Sequence, residues 1–208
     1  MASKTKPHNN KRILPKLLIV IGLATLAGAA LIVGAIYLPL IGHEINYELT
    51  KTSAQTPKEI LPIDTEFGLV INKINANARI IKAVDPFNSS EYQIALSKGI
   101  AHAKTSALPG EGGNIFLFSH SSSDLGLATR YNSIFYLLDK LETGDTAEIY
   151  YQNKKYTYIL SKKIIVDPVE VSYLDRISTE PTLTLMTCWP PGTSLKRLIA
   201  SFTILTND

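Results

Sequence analysis

The chain contains a single cysteine, Cys188, which ends the apolar run TLTLMTC at 182–188. A thiolate is a strong nucleophile when a neighbouring base or cation lowers the pKa of its thiol, and acyl transfer also needs a hydrogen-bond donor where oxyanion charge develops. The alternative is a small buried hydrophobic residue, which is the commoner role of an unoxidised cysteine. The residues that the fold places around Cys188 decide between these roles.

Two of the four histidines are candidates for the base. His8 lies in a basic N-terminal tail and His43 lies just after a long apolar segment, which leaves His102 and His120. His120 follows the apolar run NIFLFS, so it would stand at the end of a strand, as Cys188 does. If those two strands are neighbours, both side chains emerge at the same rim. His102 lies in a weaker pattern, which favours a hydrogen-bonded surface histidine.

An arginine follows the cysteine across a Pro-Pro-Gly turn. The turn folds the chain back after Cys188, and Arg197 begins the last apolar run. A guanidinium in this place could hold a peptide carbonyl and stabilise a tetrahedral oxyanion. The alternative is a surface arginine beside Lys196. Taken one at a time, the cysteine, the histidine and the arginine each fit a structural role as well as a catalytic one.

Short runs rich in Ile, Val, Thr, Tyr and Phe predict the strands that must position these residues. They are 68–74, 77–84, 114–119, 146–151, 156–166, 182–188 and 198–205. Helices are predicted over 89–99, with Ser89 or Ser90 as the cap and Gly99 as the stop, and over 131–141. Seven or eight strands with so little helix indicate a mainly β fold, a closed or nearly closed barrel.

Residues 17–40 are the predicted transmembrane helix. The 22 residues from Leu17 to Leu38 carry no charge, and at 1.5 Å per residue such a helix spans a hydrocarbon core of about 30 Å. A cleaved signal peptide has a shorter apolar region and a small-residue cleavage site, so an uncleaved anchor is expected. Residues 1–16 are basic and contain no acid. By the positive-inside rule, this tail stays in the cytoplasm and the C-terminal part lies outside.

The polar, proline-containing residues 41–66 are predicted to form an extracellular stalk, and residues 67–208 a single domain. The tail accounts for the net charge of +3, because the rest of the chain holds 16 of the 21 basic residues against 18 acidic ones. The charge therefore gives no indication of a nucleic-acid partner. One cysteine cannot form an internal disulfide, and a lone thiol outside the cell is a liability unless it is buried or used.

Over roughly 67–208 the sequence resembles the sortases, the membrane-anchored cysteine transpeptidases of bacterial cell surfaces. The resemblance is carried by GLVINKINANARI, GIAHAKTSALPGEGGNIFLFSH, FYLLDKLETGDTAEIYY and TLTLMTCWPPGTSLKRLI. Its specific part is the order of His, then Thr-Cys, then Arg at strand ends. The sequence departs from the family pattern at Ser119 and Ser121, which flank His120 where the family usually has Gly and then Arg or Asn.

The resemblance implies a sortase-like closed barrel of seven to eight strands with one or two short helices, preceded by one transmembrane helix. It implies that Cys188 is the nucleophile, that His120 is the general acid and later the base, and that Arg197 holds the substrate and the oxyanion. Thr187 matches the family's Thr-Cys pair and is a candidate substrate-binding residue. No cofactor or metal is expected, since no loop carries the carboxylate cluster of a calcium-regulated form.

The implied activity is that of a cysteine endopeptidase and transpeptidase anchored in the lipid bilayer through residues 17–40. It would cleave an LPXTG-like C-terminal sorting signal of secreted proteins through a thioacyl-enzyme and transfer the acyl group to an amine, either of a peptidoglycan precursor or of a pilin lysine. The alternative from another class is a catalytically silent, membrane-anchored β-domain that binds surface peptides. The His–Cys–Arg set argues against it, because a binding domain needs none of this chemistry.

Overall fold

Eight strands close into a barrel in this computed structural model, which describes residues 13–52, 59–121, 134–174 and 179–205. The strands are β1 (Phe67–Ile71), β2 (Ala76–Val84), β3 (Ile100–Ala103), β4 (Asn114–Phe118), β5 (Thr146–Tyr151), β6 (Lys154–Val166), β7 (Thr182–Trp189) and β8 (Lys196–Ile204). Their order around the barrel is β1-β2-β3-β4-β7-β8-β6-β5, and β5 pairs with β1 to close it. The mainly β, closed-barrel fold expected from the sequence is confirmed.

Two neighbouring pairs in the barrel, β2 with β3 and β4 with β7, are parallel, and the other pairs are antiparallel. Parallel neighbours cannot be joined by a tight hairpin, so each pair needs a crossover connection. The first crossover is the short helix α2 (Ser89–Leu96), which packs against β2 and β3. The second contains the β5–β6 hairpin. The β4–β7 pair is the one that positions the candidate site.

Apolar side chains fill the barrel interior and also cover part of its outer wall. The interior core includes Leu69, Ile71, Ile115, Leu117, Phe135, Leu138, Leu141, Leu183, Leu185 and Phe202. A second group, here named the outer cluster, consists of Val84, Ala95, Leu96, Ala101, Ala103, Phe116 and Phe118, with Ile81, Tyr92, Tyr173, Leu174 and Met186 packed against it. Successive strand residues face opposite sides. On β3, β4 and β7, the side chains in the interior core therefore point inward and those in the outer cluster point outward.

The seven predicted strands are all present, and the eighth was missed. The missed strand, β3, has the sequence IAHA, whose alanines and histidine have little of the β-branched or aromatic character that marks a strand. It is formed because its neighbours β2 and β4 pair with it on both sides. Burial of all four residues then follows from the tertiary fold rather than from a local pattern.

The helix predicted over 131–141 is wrong in the part that the structure describes, 134–141. This segment forms a turn and one short 3-10 helix, Leu138–Lys140. The carbonyl of Asp139, within this 3-10 helix, accepts a hydrogen bond from the ammonium of Lys163. Residues 131–133 lie outside the described residues. Phe135, Leu137, Leu138 and Leu141 of this segment enter the interior core from these turns.

The predicted helix over 89–99 is confirmed as α2, but its cap differs. Asn88, rather than Ser89 or Ser90, is the N-cap, and its side chain accepts a hydrogen bond from the backbone N–H of Glu91. Gly99 follows the helix and is needed for close approach, since a Cβ there would lie 2.4 Å from the carbonyl oxygen of Arg79. The glycine thus lets the chain pass directly from the helix into β3.

Before the barrel, the structure describes one long helix and, after the undescribed residues 53–58, a short hydrogen-bonded segment. The helix α1 runs over Ile13–Thr52, and within it Pro15–Gly34 is long and apolar enough to cross a membrane. Residues 59–66 belong with the barrel: the backbone N–H groups of Ile60 and Ile63 donate to the side chains of Asn72 and Asn77, both at 3.0 Å. The division into a tail (1–16), an anchor (17–40), a stalk (41–66) and a catalytic domain stays a prediction, and residues 1–12 lie outside the described part.

Candidate active site

The parallel pairing of β4 with β7 sets the end of one strand beside the end of the other. Phe118 is the Cα partner of Met186, and the backbone N–H of Ser119 donates to the carbonyl of Met186 at 3.2 Å. His120 follows the last residue of β4 by two positions, as Cys188 follows Met186, and both residues line one cleft. Because adjacent strands lie about 4.8 Å apart, this parallel pairing brings the chain that leads to His120 alongside the chain that leads to Cys188.

The antiparallel pairing of β7 with β8 places the arginine on the other side of the thiol. Cys188 is the Cα partner of Arg197, and directly paired residues project to the same face of a sheet. β7 lies between β4 and β8 in the barrel. Cys188 is therefore flanked by His120 on one side and by Arg197 on the other, and the fold brings together the three residues that the sequence nominated.

The site opens on the outer wall of the barrel, near the rim. Leu117 and Leu185 belong to the interior core, whereas Phe118 and Met186 belong to the outer cluster. Side chains alternate along a strand, so Cys188 lies on the same outward side as Met186. The filled interior is thus a support for the site and is not part of it.

A cleft of about 730 Å³ lies over this part of the wall. Its lining is Pro86, Tyr92, Gln93, Leu96, Phe118, Ser119, His120, Ser121, Met186, Thr187, Cys188, Gly192, Thr193, Ser194, Leu195 and Arg197. Cys188, His120 and Arg197 are each partly exposed, so the thiol is accessible to a ligand. The volume and the mixture of apolar walls with a few polar groups are typical of a ligand-binding cleft.

The turn between β7 and β8 holds the guanidinium at the rim. Nη1 of Arg197 donates to the backbone carbonyls of Ser194 at 3.1 Å and of Lys196 at 3.0 Å. The turn itself is closed by Thr193, whose backbone N–H and hydroxyl both donate to the carbonyl of Pro190. Both bonds use Nη1. They orient the planar guanidinium and do not engage the N–H donors on Nη2 and Nε, which can therefore bind a ligand.

A sequence model of the sortase domain matches residues 69–203 of this chain. The chain belongs to the sortase family. A curated relative, Sortase D of Bacillus subtilis (strain 168), is 30% identical in an alignment of 158 residues that covers 72% of this chain and 71% of that protein. Sortases are transpeptidases, and this general activity therefore applies to the chain.

Solved structures of sortases share the barrel. A Clostridium perfringens Sortase D5 transpeptidase is 23% identical, with a TM-score of 0.56, and the match covers 78% of this chain and 89% of that one. Sortase A from Corynebacterium diphtheriae, as a lid mutant, is 25% identical, with a TM-score of 0.55 and coverage of 70% and 72%. The pilus-related Sortase C of Group B Streptococcus is 22% identical, with a TM-score of 0.56 and coverage of 74% and 76%. At these low identities the likeness establishes a common fold.

Thr187 joins the two strand ends of the sortase site. Its side chain is almost fully buried, with 2% of its surface exposed, and its hydroxyl donates to the carbonyl of Ser119 at 2.9 Å. Together with the bond from the Ser119 N–H to Met186, it ties the chain just before His120 to the chain just before Cys188. The substrate-binding role expected for Thr187 stays a prediction, while the structure gives its hydroxyl a partner within the protein.

His102 lies outside the cleft of this sortase, in the barrel wall. It is hydrogen-bonded, as the sequence indicated, but it is buried rather than at the surface, with 2% exposed. Nδ1 accepts a bond from the backbone N–H of Ala83 at 3.3 Å, and Nε2 lies 3.0 Å from the carbonyl of Ala107 and 3.0 Å from the hydroxyl of Ser106. Burial lowers the pKa of His102, so the neutral ring is favoured. This histidine has a structural role.

The sequence did not identify the wall of the cleft that α2 supplies. Pro86, Tyr92, Gln93 and Leu96 line it, although they are distant from Cys188 along the chain. A short helix carries no local sign of which strands it will cover. Only the parallel β2–β3 crossover brings α2 over the outer wall.

Among the described ranges, no group of three or more His, Cys, Asp and Glu side chains is placed to hold a metal ion.

Proposed function

We propose that this sortase cleaves an LPXTG-like sorting signal of secreted proteins through a thioacyl-enzyme on Cys188 and transfers the acyl group to an amine of the cell envelope or of a pilin. The proposal is supported by two observations: Cys188, His120 and Arg197 line one cleft, and Cys188 is the strand partner of Arg197. A nucleophile, a proton-transfer group and an anion-binding group on neighbouring strands are the parts that acyl transfer requires.

In the first half-reaction the thiolate of Cys188 attacks the backbone carbonyl of the sorting motif. A C–S bond forms, and charge develops on the carbonyl oxygen, where the guanidinium of Arg197 stabilises it. The C–N bond then breaks as His120 donates a proton to the departing amine. The products are a thioacyl-enzyme and the released C-terminal segment.

In the second half-reaction an acceptor amine attacks the thioester carbonyl. His120, now neutral, accepts the proton of the attacking nitrogen, a C–N bond forms, and Cys188 leaves as the thiolate. Water is the competing nucleophile, which would give hydrolysis. We propose that Thr187 contributes by fixing the spacing of the two strand ends, in addition to any contact with substrate.

The apolar helix and the charge of the tail support a location at the cell membrane. Pro15–Gly34 is long enough to span the bilayer, and the tail before it is basic. By the positive-inside rule we propose a single-pass protein with a cytoplasmic N-terminus and an extracellular barrel. This orientation presents the cleft to secreted proteins that carry a sorting signal and to acceptors outside the cell.

The test uses full-length protein in detergent, an LPXTG-containing peptide and an amine. We expect a wild-type acyl-enzyme whose added mass, found by mass spectrometry, locates to Cys188, and we expect Cys188→Ala to lose all product. Arg197→Lys should lose most activity, at least about 100-fold in kcat/KM, since a point ammonium cannot reproduce the oriented fork. Product formation by Cys188→Ala would remove the nucleophile assignment. A wild-type thiol that is inert to alkylation at neutral pH would favour a peptide-binding domain instead.

A further inference from the structure

The strand order gives the cleft two chemically different sides. β7, which carries Cys188, lies between β4, which leads to His120, and β8, which carries Arg197. Helix α2 packs against β2 and β3, and these strands continue the sheet beyond β4. The cleft-lining residues of α2 and of the turn before it therefore lie on the His120 side, away from Arg197.

The reaction also needs different protein groups at the amine nitrogen and at the carbonyl oxygen. A general acid or base must come within hydrogen-bond reach of the nitrogen whose proton it moves, whereas the carbonyl oxygen must face the anion-binding group. With His120 and Arg197 on opposite sides of Cys188, the amine side faces α2 and the carbonyl oxygen faces β8. We infer that Tyr92 and Gln93, with Pro86, form the subsite for the acceptor amine. This inference rests on the transpeptidase function proposed above.

The surface of this subsite indicates the kind of amine that it takes. The ring of Tyr92 packs edge-on against Phe118, with centroids 6.3 Å apart at 76°, so the aromatic wall is held in place. Pro86 and Leu96 also line the cleft with apolar surface, and Gln93, another lining residue, is exposed. Apolar surface binds methylene groups. The subsite therefore suits a primary amine on an aliphatic stem, as in a side-chain amine, better than the α-amine of a glycine.

The step served by the subsite is aminolysis of the thioester. The amine nitrogen attacks the carbonyl carbon, the C–N bond forms, and the C–S bond breaks with the electron pair going to the sulfur of Cys188. One proton of the nitrogen passes to His120. A stem held against α2 keeps the nitrogen at the imidazole during this step.

The first experiment measures acceptor use by full-length protein in detergent, with a saturating LPXTG-containing donor peptide. The acceptors are propylamine, butylamine and pentylamine, whose amines ionise almost alike, so that only the stem differs. We expect the half-saturating amine concentration to fall with each added methylene, by up to about fourfold. A half-saturating amine concentration that stays constant, or that rises, as the alkyl chain lengthens would overturn the aliphatic-stem assignment.

The second experiment uses two adjacent exposed positions of α2. Gln93 lines the cleft, and Ile94, which is 59% exposed, does not. Gln93→Lys puts a cation where the ammonium form of the acceptor arrives, and we expect its half-saturating amine concentration to rise at least about fivefold with unchanged acyl-enzyme formation. Ile94→Lys adds the same charge to the same helix and should change neither quantity. Equal effects of the two variants, or an effect of Gln93→Lys confined to the donor KM, would contradict the subsite.

A third variant, Tyr92→Ala, removes the aromatic wall, and we expect it to flatten the alkylamine series. Its ability to form the acyl-enzyme shows that it is folded, and Gln93→Lys carries the test if it is not. Retention of the full chain-length dependence in a folded Tyr92→Ala protein would count against the assignment. Failure of the wild-type protein to form an acyl-enzyme with sorting peptides would instead overturn the proposed function, and this inference with it.

Discussion

The bond between Thr187 and Ser119 allows a direct test of how the fold fixes the site. Thr187→Val replaces the hydroxyl with a methyl group of nearly the same shape and removes the 2.9 Å bond to the Ser119 carbonyl. A lost buried hydrogen bond costs about 1 kcal/mol net, and about 3 kcal/mol if the remaining carbonyl is left without a partner. We therefore expect the free energy of unfolding to fall by about 1–3 kcal/mol.

The assay is urea unfolding of the full-length protein in detergent, followed by tryptophan fluorescence. Trp189 is the single tryptophan of the chain, it packs against the interior core, and it directly follows Cys188. At an m-value of about 2 kcal/mol/M, the expected loss shifts the midpoint by about 0.5–1.5 M. The matched control is Thr203→Val, the same substitution at an exposed position of β8, where we expect almost no shift.

The same variant separates two roles of Thr187 in activity. If its hydroxyl positions the strand ends, Thr187→Val lowers kcat for acylation and leaves the donor KM nearly unchanged, and Thr187→Ser restores part of the rate. If the hydroxyl binds substrate, the donor KM rises instead. A Thr187→Val protein that unfolds at the same urea concentration as Thr203→Val and keeps the wild-type kcat would refute the reasoning.

Two further predictions concern stability. Burial lowers the folded-state pKa of His102, so protonation of this ring favours the unfolded chain. The free energy of unfolding is therefore highest at high pH and decreases as the pH falls below the unfolded-state pKa of about 6.5. Urea midpoints measured from pH 8 to pH 5 should decline, and His102→Gln should flatten this slope; an equally steep slope in the variant would contradict the assignment. Gly99→Ala sets a Cβ 2.4 Å from the Arg79 carbonyl and should cost about 1–3 kcal/mol. Gly112→Ala, whose nearest contact is 3.4 Å, should cost much less, and similar losses would count against the clash.

Local patterns were sufficient for the strands with strong β-forming composition. The run at 146–151 is β5 with the same bounds, since the buried Ala147 and Ile149 alternate with more exposed residues, as in a half-buried strand. The same reasoning failed for Ile100–Ala103, where small residues form a strand because two neighbours pair with it. It also failed for 134–141, where apolar spacing suited a helix but the side chains enter the barrel through a turn.

The candidate site shows the same division. His120, Cys188 and Arg197 were identifiable because each stands where an apolar run meets a polar loop, and strand ends can meet at one rim. His102 could not be placed by pattern, because its burial depends on the β2–β3–β4 pairing around it. The sequence likewise did not predict that α2 forms one wall of the cleft, because the position of a crossover helix depends on which strands pair in parallel.

The sequence alone determined the chemistry that the chain possesses: one thiol, an imidazole and a guanidinium beside strand ends, behind an apolar helix. These follow from residue type and local periodicity, which are properties of neighbours along the chain. Only the tertiary structure decided that β7 lies between β4 and β8, that the three groups face the outer wall, and that α2 stands on the histidine side. The order of the strands and the direction in which their side chains point depend on pairing between residues far apart in sequence. A local sequence pattern therefore cannot predict them.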